Sequence, residues 1–107
     1  MAVLNMNHEL FNIKLQENEK PVLVEYSAPW CGYCRRIEPA YKKIGEQFAE
    51  ELVVAKVDID ENPKLADQEQ IEVIPTLVLY KNGEAVDSIV APESKARIES
   101  FIRANLG

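Results

Sequence analysis

Val22-Leu23-Val24-Glu25-Tyr26-Ser27-Ala28-Pro29-Trp30-Cys31-Gly32-Tyr33-Cys34 is the stretch that decides the fold. Its first five residues are rich in strand formers and lack clean alternation, which predicts a short strand buried on both faces. The strand ends just before Pro29. From Cys31 or Gly32 onward, Ile37, Ala40, Tyr41, Ile44 and Phe48 recur every three or four residues, as in a helix with one apolar stripe. Pro39 within that stripe is expected to kink the helix. The two cysteines therefore fall at a strand-to-helix junction.

Further along, Leu52–Val57 reads as a second buried strand, followed by the turn-prone Asp58–Pro63 and a short helical stretch to about Gln70. Strand, helix, strand implies a parallel pair joined by a right-handed crossover, so the helix lies back across the sheet. The cysteines then sit at the carboxyl end of the strand, where open α/β sheets carry their chemistry. Upstream, after a short apolar start at Val3-Leu4, His8–Glu17 places Leu10, Phe11, Lys14 and Leu15 at helical spacing, and Asn18–Pro21 breaks the pattern. Downstream, Thr76–Tyr80, Lys81-Asn82-Gly83-Glu84 and Ala85–Val90 read as a hairpin with Gly83 in its turn. Pro92–Leu106 carries Ile98, Phe101, Ile102 and Leu106 at helical spacing, with Pro92 suited to the first turn and Gly107 beyond the end. The class is α/β: a central mixed sheet of four to five strands flanked by about four helices.

With 107 residues, 47% of them hydrophobic, the chain can close one core and is too short for two ordinary domains, so residues 1–107 are read as a single domain. No run of apolar residues is long enough to span a bilayer, and Met1–Asn12 has neither a basic nor a continuous apolar leader region. No membrane association is expected, and the cytoplasm is the expected location. A net charge of −6 argues against a nucleic-acid partner, since basic residues prevail only around Cys34-Arg35-Arg36. Acidity also serves solubility. Only two cysteines are present, three positions apart, so neither a disulfide-stapled scaffold nor a four-thiolate zinc site can form within the chain. A zinc site would have to recruit His8, the only histidine, with a carboxylate or a second subunit. No metal is expected, and with no Gly-rich phosphate loop no organic cofactor is expected either. Inert buried thiols remain the plainer alternative for Cys31 and Cys34, though the turn-like Ala28–Cys34 suits them less well than an apolar strand would.

Trp30-Cys31-Gly32-Tyr33-Cys34-Arg35, Lys56-Val57-Asp58, Ile74-Pro75-Thr76 and Lys81-Asn82-Gly83, in this order and spacing, resemble the thioredoxin family over essentially the whole chain. The resemblance implies the thioredoxin fold, disulfide-containing proteins as substrates, and a thioredoxin reductase to restore the thiols. The chemistry is consistent with it. At a helix amino end, unpaired backbone N–H groups and the helix dipole favour a thiolate, which makes Cys31 the nucleophile. Cys34, one turn further on, is the resolving thiol that attacks the mixed disulfide.

Cys34 must lose its proton first, and Glu25, in the middle of an apolar strand, is the candidate base, since burial raises the pKa of a carboxyl. The family has an acidic residue here. An end-of-strand glutamate reaching solvent is the alternative. Lys56 on the adjacent strand tunes this acid in the family, and a snorkelling surface lysine is the other reading. By resemblance, Pro75 follows a cis peptide bond and lies against the cysteines, leaving the Ile74 backbone to pair with an extended substrate segment. Without the resemblance it reads as a trans proline opening a strand. Trp30 is either an apolar lid over the site or core packing.

Several residues depart from the commonest family pattern. Gly32-Tyr33 stands where reducing members usually carry Gly-Pro, and the additional Tyr33 N–H is expected to stabilise the Cys31 thiolate and make the couple less reducing. Glu25 together with Ala28-Pro29-Trp30-Cys31 looks like the active domains of protein disulfide isomerases. Ser27 occupies a frequent tryptophan position, and Ala91 the place of a glycine that lets substrate backbone approach. The leading function is a protein-disulfide reductase; an isomerase or oxidant-like exchanger is second, and a docking module with structural or metal-binding thiols is third. A disulfide cycle within one chain requires no dimer, so a monomer is expected.

Overall fold

In the computed structural model, which describes residues 3–17 and 19–106, all six residues of the strand Val22–Ser27 are buried. A strand hidden on both faces needs neighbours on both edges and a helical layer above and below, and the chain supplies them. The elements run β1 (Leu4–Met6), α1 (His8–Glu17), β2 (Val22–Ser27), α2 (Gly32–Gln47), β3 (Val53–Asp58), α3 (Pro63–Gln68), β4 (Thr76–Lys81), β5 (Glu84–Val90) and α4 (Lys95–Leu106). The sheet order is β1-β3-β2-β4-β5. β2 pairs parallel with β3 on one edge and antiparallel with β4 on the other, which places it at the centre.

Each face of the sheet has its own core. Leu23, Val54, Leu77 and Leu79 pack against Ile37, Tyr41, Ile44 and Phe48 of the α2 side and Ile98 and Ile102 of α4. Val24, Tyr26, Val57 and Val78 pack on the other face with Phe11 of α1 and Leu65 of α3. The alternation of Leu23 and Glu25 against Val24 and Tyr26 thus points Glu25 toward the α2 side. Buried hydroxyls are satisfied. Tyr80 donates to Glu69 Oε1 and accepts from Tyr26, both at 2.7 Å, and the Tyr41 hydroxyl lies 2.6 Å from the Ala55 carbonyl and 3.2 Å from that of Leu23, tying α2 to β2 and β3.

The expected elements are present, with local differences. The apolar start at Val3-Leu4 leads into a true edge strand, β1, parallel to β3. Helix α4 begins at Lys95 rather than taking Pro92 into its first turn, because the Ser94 hydroxyl caps it by accepting the Arg97 N–H at 3.1 Å. Helix α3 stops at Gln68, and Gln70 turns the chain with φ 59°. Helix α2 runs unbroken through Pro39, whose ring nitrogen has no hydrogen to give the preceding turn. In the hairpin both Asn82 (φ 56°) and Gly83 (φ 78°) are left-handed, as a type I′ turn requires. Asn18 and Gly107, read as a break and as the residue past the last helix, lie outside the described residues.

Leu23 is fully buried at the centre of the sheet, whereas Ile13 on α1 is exposed. Leu23→Ala is expected to cost about 2–5 kcal/mol in urea unfolding, and Ile13→Ala to stay within about 0.5 kcal/mol. Equal losses would contradict this placement of the core.

Candidate functional site

The chain leaves β2 at Ser27, turns through Ala28-Pro29-Trp30, and enters α2 with Cys31 as the N-cap residue. Cys31 keeps extended backbone (φ −85°, ψ 111°), so its side chain folds back over the first turn. There its Sγ accepts the Cys34 backbone N–H at 3.2 Å. The sulfurs of Cys31 and Cys34 are joined in a disulfide, with the Cα atoms 5.3 Å apart. The turn that presents them is closed from both sides: the Cys31 N–H donates to Ala28 O at 3.1 Å, and the Arg35 guanidinium donates to Pro29 O at 2.6 Å. Both cysteines are buried.

Around this junction the other candidate residues take different positions. Trp30 is 65% exposed and lies on the surface rather than in the core, held by an indole N–H donated to Asp60 Oδ2 at 2.9 Å. The Ile74–Pro75 peptide bond is cis. Pro75 O accepts the Ala91 N–H at 2.8 Å, and Ala91 adopts φ 45°, a left-handed conformation that glycine takes without strain. The Tyr33 hydroxyl in turn donates to Pro92 O at 3.2 Å, with Ala91 O at 3.3 Å. Tyr33 thus joins the start of α2 to the segment that bonds Pro75. In the disulfide form the hydrogen bond on the Cys31 sulfur comes from the Cys34 N–H. Gly32 has open space where a Cβ would stand, so the tightness of this turn does not depend on it.

Glu25 is 1% exposed, and its Oε1 has no hydrogen-bond partner. It does not reach solvent at the strand end. Its parallel register neighbour is Lys56, yet the Lys56 ammonium pairs with Glu38 Oε2 of α2, at 3.2 Å. Burial pushes the Glu25 carboxyl up from its ordinary 4.5 to about 7; the Lys56 charge pulls it back and the Glu38 carboxylate adds to the rise. A carboxyl held off water, with its pKa raised to about 7, can exchange a proton at the pH where thiols react. Among the described residues no group of three or more His, Cys, Asp or Glu side chains is placed to hold a metal ion.

Three of these residues escaped the reading of the sequence. Asp60 and Arg35 look like ordinary surface charges until the turn folds between them. Glu38 carried a usable signal: it lies four residues after Cys34, hence on the same helix face.

A carboxyl with a raised folded-state pKa stabilises nothing when ionised. The fold carries no cost from Glu25 below about pH 4.5, and stability is lost as pH rises through about 7. Replacement by glutamine removes that dependence. The stability of Glu25→Gln relative to the parent is expected to grow by about 3 kcal/mol between about pH 4 and pH 9 in denaturant titrations. Parallel stability curves would show that Glu25 is ionised without penalty.

Comparison with known proteins agrees with this site. The family model described as thioredoxin matches residues 2–104. The chain is 39% identical over 105 residues to a thioredoxin of Acidithiobacillus ferridurans, covering 98% of this chain and 97% of that protein. It is 37% identical over 102 residues to a thioredoxin of Porphyra purpurea, covering 95% of each, and 38% identical over 96 residues to thioredoxin 1 of Synechococcus elongatus, covering 90% of each. The redox group is the disulfide carried by the chain itself. With a Cys-x-x-Cys pair at the amino end of α2, a cis proline at the start of β4 and these relatives along its length, the chain belongs to the thioredoxin family of thiol–disulfide oxidoreductases.

Proposed function

We propose that the chain reduces disulfides in other proteins, with Cys31 attacking, Cys34 resolving and Glu25 taking the proton of Cys34. The Cys31 thiolate attacks one sulfur of a substrate disulfide, and the other substrate sulfur leaves as a thiolate. Cys34 then gives up its proton to Glu25 and attacks Cys31 Sγ. The Cys31–Cys34 bond closes, the second substrate sulfur leaves, and two electrons have passed to the substrate. The bond from the Cys34 N–H to Cys31 Sγ carries this reading: a donor aimed at that sulfur at a helix amino end favours negative charge there. The buried, unpartnered oxygen of Glu25 supports its part.

Trp30, Ile74, Pro75 and Ala91 are the proposed substrate surface, and Gly32, Tyr33 and Lys56 shape and tune it. Support comes from the exposed Trp30, the cis bond at Pro75, the Ala91–Pro75 hydrogen bond and the exposed Val73 and Val90 beside them. An extended substrate segment pairs with the backbone at Ile74 and lays apolar side chains on this rim. The isomerase or oxidant-like alternative, suggested by Tyr33 and by Glu25 with Ala28-Pro29-Trp30-Cys31, stays second, because the relatives named as thioredoxins support the reducing direction. Residues 1–107 act as one unit in this reading, as a monomer recharged by a thioredoxin reductase. Reduction of protein disulfides suits the cytoplasm, where thiols are kept reduced.

Trapping separates the two cysteines. Mixed with a disulfide-containing protein, reduced Cys34→Ser is expected to accumulate a mixed disulfide on Cys31 that added dithiol releases, and Cys31→Ser to form none. Equal accumulation by both variants, or none by either, would reverse or remove these roles.

A further inference from the structure

Two clefts open beside the α2 side of the sheet and meet at one ion pair. The first, of ≈ 290 Å3, is lined by Cys34, Arg35 and Asp58. The second, of ≈ 300 Å3, is lined by Glu25, Tyr41 and Lys42. Glu38 and Lys56 line both. The arrangement follows from two registers: Glu38 is one turn beyond Cys34 on α2, and Lys56 is the strand neighbour of Glu25. The Glu38–Lys56 bond at 3.2 Å links the two registers, with Cys34 lining the cleft on one side and Glu25, whose Oε1 is unpartnered, lining the cleft on the other.

The pair is too open to matter for stability: the two side chains are 30% and 59% exposed, and ion pairs in such settings contribute little. Its consequence is where it puts the ammonium. Lys56 has a flexible stem rooted beside Glu25, and a buried carboxylate with an unpaired oxygen is the strongest attraction within its reach. Among the described residues Glu25 has no ion-pair partner; the lysine is on Glu38 instead.

We propose that Glu38 is a positioning residue for the proton transfer: by holding the Lys56 ammonium at the wall between the two clefts, it leaves Glu25 free to accept the proton of Cys34. Without Glu38 the lysine turns inward, pairs with the Glu25 carboxylate and makes it a weaker base. The charged and titratable groups facing Glu25 are Lys56 from β3 and Glu38, Tyr41 and Lys42 from α2; β1 contributes Asn5 and β4 the apolar Leu77. The Tyr41 hydroxyl is engaged with backbone carbonyls, and of the two lysines Lys56 is the one bonded to Glu38. The proposal rests on Glu25 as the base.

The test reads Glu25 directly. In the oxidised protein the cysteines do not titrate, so the Glu25 side-chain carboxyl can be followed by 13C NMR from about pH 4 to pH 10. Glu38→Gln is expected to lower its midpoint by about one pH unit, the effect of a cation moved to within a few ångströms of a carboxylate. Glu38→Asp, which keeps the anchor, is expected to stay near the parent value. In a Lys56→Met background, Glu38→Gln is expected to move the midpoint by less than half as much. An unchanged or raised midpoint in Glu38→Gln overturns the proposal. So does a shift of equal size without Lys56, because Glu38 would then act by its own charge alone. These outcomes are independent of catalysis: if Glu25 is not the base, the titration still responds to Glu38 while the kinetics of Glu25→Gln do not change.

Discussion

Burial of β2 on both faces is the constraint from which the rest of the molecule follows. Val22–Ser27 has no residue open to water, so its backbone must be paired on both edges and its side chains covered above and below. β3 and β4 supply the edges, α2 and α4 one cover, and α1 and α3 the other. The parallel pairing of β2 with β3 requires the intervening helix to cross the sheet, so the first turn of α2 must begin where β2 ends. Cys31 and Cys34 occupy that turn, where the Cys34 N–H reaches the Cys31 sulfur.

The same burial gives Glu25 its character. On an exposed strand it would be an ordinary surface carboxylate; in the sheet interior, charge is costly and the carboxyl holds its proton to about pH 7. The fold therefore gives up stability to keep this group, as strained or costly features at reactive sites generally do. Lys56 offsets part of that cost without quenching it, since the lysine is engaged by the outer carboxylate of Glu38, whose own charge adds to the cost.

Much of this was legible in the chain. The unalternating run at Val22, the apolar stripe from Ile37 to Phe48, and Asn82-Gly83 between two strands each carry their own local signal, and each element is where that signal puts it. β1 is different: three residues are too few for periodicity, and only the partner register with β3 makes Leu4–Met6 a strand. The start of α4 was misplaced because Pro92 and Ser94 both suit a helix beginning, and the hydroxyl cap of Ser94 prevailed. Cys31, Cys34, Trp30 and Pro75 stand out by residue type and motif. Asp60 and Glu38 do not, because each acts through a partner distant in sequence, and a surface charge shows no trace of its partner until the turn and the cleft exist.

The central claim is that Glu25 handles the proton of Cys34, and single-turnover resolution of a preformed Cys31 mixed disulfide tests it most directly. Followed against pH, the rate in the parent protein should rise with a midpoint near 7, the value that burial gives Glu25. In Glu25→Gln that limb should be absent, with resolution slow until Cys34 ionises in its own right at higher pH. Superimposable profiles for the two proteins would contradict the account.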